Sequence, residues 1–131
     1  MAGEKNFEGR VKAWLESEGI YPLDRSRDKM KATPCGYYEK RWAGGRFATT
    51  QGKPDMHIVV RGRSLDAELK GPGGHPSPMQ LRCIKYMKTS GCLAAVFWPE
   101  DFEKLKAIVL WLKDLGGDGA DATELFEGGS V

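Results

Sequence analysis

Two acids and a lysine on consecutive predicted strands are the residue types that a phosphodiester-cleaving site requires. Asp55 begins one predicted strand, and Glu68 and Lys70 lie two residues apart on the next, so that the latter two side chains project from the same face. Carboxylate oxygens bind Mg²⁺, which polarises a phosphate oxygen and lowers the pKa of a bound water, and an ammonium group can orient or deprotonate that water. A Glu-x-Lys pair alone, however, is more often an ion pair on an exposed hairpin.

A tight turn is expected to bring these residues together. The sequence Arg-Gly-Arg-Ser at 61–64 predicts a turn between strands over 56–61 and 65–70, which makes the two strands antiparallel neighbours. Asp55 lies six residues before Arg61 and Glu68 lies four residues after Ser64, so both acids fall near the same end of the hairpin. Two carboxylates and an ammonium group are therefore predicted to converge within a few ångströms.

Apolar spacing and turn residues predict the elements around this hairpin. Ser77, followed three residues later by Gln80, has the pattern of a capping box, and Pro78 suits the first position of the helix that follows. The step from strand 65–70 through this helix to the apolar run 92–98 is a βαβ crossover, so those two strands should be parallel. The predicted elements are helices over 4–18, 78–89 and 101–113 and strands over 36–42, 56–61, 65–70 and 92–98.

This order, αβββαβ plus a C-terminal helix, predicts an α/β fold with a mixed central sheet of about four strands flanked by helices. The run 92–98 is continuously apolar, which is typical of a strand buried on both faces. Residues 1–115 are long enough for one domain with its own core. The acidic, Gly-rich tail 116–131 is expected to be mobile or weakly docked.

Composition excludes several classes of protein. The longest apolar stretch, 91–98, is too short to cross a membrane, and the first residues lack the apolar core of a secretion signal. The three cysteines are widely spaced and form no CxxC pair, so neither a disulfide framework nor a zinc site is expected. A reducing cytoplasm is the compartment that this cysteine usage fits best.

The charges are distributed unevenly along the chain. Between Arg25 and Lys53, eight basic residues are opposed only by Asp28 and Glu39, which leaves a net charge of +6 in a protein whose total is +2. A segment that faces phosphates would have this pattern, and so would a solvated basic loop. His75, in a Pro/Gly-rich loop, is another candidate of the same kind. The candidate DNA contacts are Arg25, Arg27, Lys29, Lys31, Arg41, Arg46, Lys53 and His75.

The spacing of four elements resembles the VRR-NUC family of the PD-(D/E)XK nuclease superfamily. These elements are Gly-Lys-Pro-Asp at 52–55, Glu-Leu-Lys at 68–70 thirteen residues after Asp55, Gly-Pro-Gly at 71–73, and Gln80 on the next helix. The similarity covers roughly residues 4–112 and extends to the stand-alone, phage-type members and to Holliday junction resolvases. The same helix–meander–helix–strand core is expected from this resemblance.

The resemblance implies a role for each matching residue. Asp55 and Glu68 would ligate Mg²⁺, for which Mn²⁺ can substitute, and the Leu69 backbone carbonyl would be a third ligand. Lys70 would be the catalytic lysine, and Gln80 would lie near the scissile phosphate or the metal-bound water. Glu8 matches an acidic position that the first helix often contributes to the metal site. Pairing of Glu8 with Lys12 one turn later on the helix explains that acid nearly as well.

The function implied is that of a Mg²⁺-dependent DNA endonuclease in the cytoplasm of a bacterial or phage-infected cell. The resemblance suggests cleavage of branched DNA such as Holliday junctions. A homodimer is expected, because two identical sites related by a two-fold axis can cut two strands symmetrically. The alternatives are a nicking or restriction-like nuclease and a non-catalytic DNA-binding module of the same fold.

Overall fold

The protein is an α/β domain built on a five-stranded mixed sheet. The structure, a computed structural model, describes residues 2–23, 33–41 and 52–115. Trp42, the last residue of the predicted strand 36–42, and the acidic tail 116–131 lie outside these ranges. The elements in chain order are α1 (Ala2–Ser17), β1 (Ile20–Pro22), β2 (Gly36–Lys40), β3 (Met56–Val60), β4 (Arg63–Leu69), α2 (Pro78–Thr89), β5 (Leu93–Phe97), a 3-10 turn (Pro99–Asp101) and α3 (Phe102–Leu115).

The strands lie in the sheet in the same order as in the chain. Strands β2, β3 and β4 form the predicted antiparallel meander, and β5 pairs with β4 in the parallel direction that a βαβ crossover requires. The sheet has one strand more than the predicted four, because β1 pairs in parallel with β2. Three residues are too few to show a strand period, so the sequence between the first helix and strand 36–42 did not predict β1.

The hydrophobic core lies between one face of the sheet and helices α1 and α3. Each of these helices has an apolar stripe at helical spacing, and its members are buried except Trp14, which packs against the core while partly exposed. Burying one large apolar side chain stabilises the fold by about 2–3 kcal/mol relative to leaving it in water. The buried helix residues are Phe7, Val11, Leu15, Phe102, Leu105, Val109 and Leu112.

Strand β4 is buried on both faces, but only one face is apolar. Leu65, Ala67 and Leu69 belong to the core, whereas Asp66 and Glu68 point to the opposite face and are only 3% and 2% exposed. Helix α2 packs on β5, and Gln80 in its first turn contacts Glu68 on this second face. Charged groups as buried as these two acids require partners.

Two predicted strands differ from the observed ones. The run 92–98 is buried on both faces only in part: Ala94 and Phe97, which project from opposite faces, are buried, whereas Leu93 is 39% exposed in this edge strand. A continuous apolar run does not distinguish a central strand from an edge strand. The turn between β3 and β4 is also tighter than predicted: it consists of Arg61 and Gly62, with φ angles of 48° and 85°, and Ser64 lies within β4. Two residues with positive φ are typical of a tight β-hairpin.

Cys35, Cys83 and Cys92 are all free. No helix in the described ranges is both long and apolar enough to cross a membrane.

Candidate active site

The side chains of Asp55 and Glu68 each accept a backbone hydrogen bond from the opposite strand of the β3–β4 hairpin. The Asp55 amide donates to Glu68 Oε1 at 3.2 Å, and the amide of Leu69 donates to Asp55 Oδ1, also at 3.2 Å. The register, in which Met56 lies opposite Ala67, puts the residue before Met56 beside the residue after Ala67. The hairpin thus brings the two predicted acids together at the same end.

Lys70 and Gln80 both contact the outer oxygen of Glu68. Lys70 Nζ lies 3.1 Å from Glu68 Oε2, and Gln80 Nε2 donates to the same oxygen at 3.1 Å. The Glu68 side chain is 3% exposed and that of Lys70 is 15% exposed. Three of the four residues predicted to be catalytic therefore converge on the fourth, Glu68.

A capping box orients the Gln80 side chain. Ser77 Oγ accepts a hydrogen bond from the Gln80 amide at 3.1 Å, and Gln80 Oε1 accepts one from the Ser77 amide at 2.8 Å. Because the oxygen of the Gln80 side chain caps the helix, its NH₂ group points away from the cap and toward Glu68. The sequence pattern that begins α2 therefore also positions a polar group at the site.

Burial disfavours the charged forms of both acids. Desolvation and, secondarily, the charge of Glu68 raise the pKa of Asp55 to about 7, although the hydrogen bond from Leu69 opposes this rise. Desolvation likewise raises the pKa of Glu68, although Lys70 and the Asp55 amide favour its ionised form. Two carboxylates that repel each other in a poorly solvated site are stabilised as anions by a nearby cation.

The donor set suits a magnesium ion. In the parts of the chain that the structure describes, no group of three or more His, Cys, Asp or Glu side chains is arranged to hold a metal. Mg²⁺ is typically bound by only one or two carboxylates and keeps several water ligands, so the Asp55–Glu68 pair meets its requirement. The predicted third ligand, the Leu69 carbonyl, belongs to the residue whose amide contacts Asp55.

A cavity of about 290 Å³ opens over these residues. Four of its lining residues are bases, which is the charge that a phosphate group requires. Two of them, Arg41 and Lys53, are among the predicted DNA contacts. The lining residues are Glu4, Lys40, Arg41, Lys53, Asp55, Glu68, Lys70 and Gln80.

Helix α1 contributes Glu4 to this cavity, an acid that the sequence analysis missed. Glu8, the predicted metal ligand, does not line the cavity and forms ion pairs with Lys12 at 3.2 Å and with Lys40 at 2.7 Å. Glu4 lies one turn earlier on the same helical face, so the i, i+4 spacing was the available signal. The start of α1 packs closely on the loop after Lys70: a Cβ atom at Gly71 would lie only 2.7 Å from the Glu4 nitrogen.

A second polar network, also missed, holds Arg41 at the edge of the cavity. Asp66 Oδ1 lies 2.9 Å from Arg41 Nη1 and 2.8 Å from His57 Nδ1, and Arg41 Nη1 also donates to the Pro54 carbonyl at 3.3 Å. The Asp66 side chain is 5% exposed. His57 thus acts as the structural hydrogen-bonding residue that its place beside an acid suggests.

Of the remaining predicted DNA contacts, His75 alone falls within the described ranges. His75 is exposed in the loop after β4 and is not among the lining residues. The other five fall outside the described ranges, and their assignment stays a prediction. They are Arg25, Arg27, Lys29, Lys31 and Arg46.

Comparisons of the chain with protein-family models, with curated proteins and with solved structures find no match. The resemblance to the VRR-NUC family therefore stays a prediction, and any assignment of function depends on the chemistry of the site.

Proposed function

We propose that this protein is a metal-dependent endonuclease that hydrolyses phosphodiester bonds in DNA. One observation carries the proposal: Asp55, Glu68, Lys70 and Gln80 are joined by hydrogen bonds and an ion pair centred on Glu68, in a cavity lined by further bases. An acid pair, a lysine and a cationic rim are the groups needed to bind a divalent cation, assist a water nucleophile and hold a phosphate.

Asp55, Glu68 and the Leu69 carbonyl would hold Mg²⁺, or Mn²⁺ in its place. The cation, when bound, supplies Lewis-acid activation of the phosphate and of the attacking water. The raised pKa of Asp55, caused by burial and by the neighbouring charge of Glu68, supports this assignment, because a cation would offset the repulsion between the two acids.

Lys70 would assist the chemical step. Its ammonium group is anchored 3.1 Å from Glu68 Oε2 and is largely shielded from solvent, so it is held in position before substrate binds. From there it can orient the attacking water, accept its proton, or stabilise the charge that develops on the phosphate. Gln80 donates to the same Glu68 oxygen and would keep that carboxylate fixed during turnover.

Lys40, Arg41 and Lys53 would bind the DNA backbone on either side of the scissile phosphate. All three line the cavity, and the Asp66 carboxylate restricts Arg41 to its edge. A preorganised cation loses less side-chain entropy when it binds a phosphate than a freely moving one does.

The order of helices and strands, with an antiparallel meander and a parallel β4–β5 pair, is compatible with the PD-(D/E)XK core that the proposal assumes. The VRR-NUC family within it is proposed from the sequence motifs. The proposal extends to branched DNA as substrate, to a homodimer that cuts two strands, and to the cytoplasm of a bacterial or phage-infected cell. These extensions depend on the resemblance alone.

A plasmid-cleavage assay tests the proposal. Purified protein should convert supercoiled plasmid or a four-way junction to cut products with Mg²⁺ and not with EDTA. Asp55→Ala should abolish cleavage, whereas Glu103→Ala, which removes an acid whose side chain is 86% exposed on α3, should not. Cleavage that persists in Asp55→Ala, or no cleavage of plasmid, junction, linear duplex or single strand by the wild type, would contradict the proposal.

A further inference from the structure

A second groove, of about 560 Å³, lies beside the active-site cavity. It runs along α2, and Arg41 and Lys53 line both it and the cavity. Gln80 contacts Glu68 in the cavity, while its neighbour Met79 lines the groove. A strand whose phosphate lies at Glu68 would therefore extend directly into the groove.

The groove is lined mainly by apolar side chains of α2, and two of them are exposed. Tyr86 is 76% exposed and Met79 is 43% exposed, and Met87 lies one turn from Cys83 on the same stripe. The segment before Asp55 packs tightly against the start of this stripe. Gly52 has a φ angle of 88°, and a Cβ atom there would lie 2.8 Å from the Met79 carbonyl oxygen. This contact fixes the distance between the Met79 end of the groove and Asp55 in the active site.

The charge around the groove favours a nucleic acid as its ligand. Helix α2 carries three bases, Arg82, Lys85 and Lys88, and no acid. Arg82, Arg41 and Lys53 are themselves lining residues. An aromatic and thioether surface bordered by cations matches a nucleobase, whose ring packs on the apolar atoms while its phosphates contact the bases.

We infer that this groove binds an unpaired nucleobase next to the scissile phosphate. Tyr86 and Met79 contact the base, and Arg82 contacts a flanking phosphate. A base within an intact duplex is stacked and paired and cannot enter the groove without being extruded. The substrate class is therefore single-stranded DNA, or branched DNA with unpaired bases at the cut. This inference rests on the proposed function and specifies its substrate.

The test compares binding of two fluorescein-labelled single strands in Ca²⁺ buffer by fluorescence anisotropy. One strand carries every base, and the other is abasic at every position, so that the phosphates are identical. The wild type should bind the abasic strand about tenfold more weakly, the usual loss when one base–aromatic contact is removed. Tyr86→Ala should bind both strands equally. Trp111→Ala, which removes a 54% exposed aromatic residue on α3, should keep the wild-type ratio.

Each other outcome has a defined meaning. If Tyr86→Ala binds DNA with the wild-type preference for the intact strand, the inference fails while the proposed nuclease function stands. If the wild type neither binds nor cleaves any DNA, both fail together. If light scattering shows that Tyr86→Ala dissociates a wild-type dimer without changing base preference, the groove is an interface between two copies of the chain and the inference is overturned.

Cysteine modification tests occupancy without any substitution. Cys83 lines the groove, whereas Cys92 lies beyond the end of α2 and is exposed. The intact strand should slow alkylation of Cys83 at least several-fold and leave that of Cys92 unchanged, as measured by mass spectrometry. Equal rates at Cys83 with and without bound DNA would contradict base binding in the groove.

Discussion

Replacing Asp55 by asparagine should stabilise the metal-free protein at neutral and alkaline pH. An unfolded aspartate ionises near its ordinary pKa of 3.8, whereas burial and the charge of Glu68 raise the pKa of Asp55 to about 7 in the folded protein. Between these two pH values the folded state retains a proton that the unfolded state has lost. Stability should therefore fall as pH rises through this window, and the full loss is reached above about pH 7.

The size of this effect follows from the pKa difference. One pKa unit corresponds to about 1.4 kcal/mol, so a rise from 3.8 to about 7 corresponds to roughly 4 kcal/mol lost from the free energy of unfolding at pH 8. An asparagine side chain cannot ionise and keeps an oxygen to accept the Leu69 amide, so the Asp55→Asn variant should avoid most of this loss. A difference of this size is about 10 °C or more in Tm for a domain of this length.

Thermal unfolding in EDTA, followed by circular dichroism from pH 4 to pH 8, measures the difference. Wild type and Asp55→Asn should be similarly stable near pH 4 and diverge as pH rises, and Mg²⁺ at pH 8 should stabilise the wild type alone. Asp114→Asn, at an exposed position on α3, is the matched control and should follow the wild type. Curves for wild type and Asp55→Asn that stay parallel across the pH range would refute the reasoning.

Three further predictions concern the metal, the basic segment and Arg41. Calorimetry should show Mn²⁺ binding to the wild type and little to Asp55→Ala, and Ca²⁺ should bind without supporting cleavage; equal Mn²⁺ affinity would contradict the assignment. Replacing the four bases of the 25–31 segment by acids should weaken DNA binding and flatten its salt dependence without altering the circular dichroism spectrum. An unchanged salt dependence would show that the segment is a solvated loop that does not contact DNA. Asp66→Asn should release Arg41 and weaken DNA binding several-fold. Addition of Arg41→Gln to that variant should cause little further loss of affinity. Fully additive losses in a double-mutant cycle would show that the two residues act separately.

Much of the site could be predicted because it is local. Asp55 and Glu68 lie on one tight hairpin, and a short turn fixes the register between its strands, so the distance between the two acids is set by counting residues. The capping box that begins at Ser77 is likewise a pattern within four consecutive residues, and the structure has both of its hydrogen bonds. Local patterns of this kind depend little on the rest of the fold.

The features that could not be predicted depend on contacts between distant segments. Glu4 reaches the cavity only because Gly71 lets the loop after β4 pack against the start of α1. Arg41 is fixed by Asp66, two strands away in the sheet. The exposure of Leu93 follows from the edge position of β5, and sheet order cannot be read from the composition of one strand.

Single-turnover cleavage by Lys70→Met tests the central claim most directly. Methionine keeps most of the side-chain volume and removes the ammonium group that lies 3.1 Å from Glu68. With saturating enzyme and Mg²⁺, the cleavage rate should fall at least about a hundredfold, the usual range for a lost acid–base group, while DNA affinity changes little. Lys104→Met, at an exposed position on α3, should cleave like the wild type. A Lys70→Met protein that cuts at the wild-type rate would contradict the account and leave the Glu68–Lys70 contact as an ordinary ion pair.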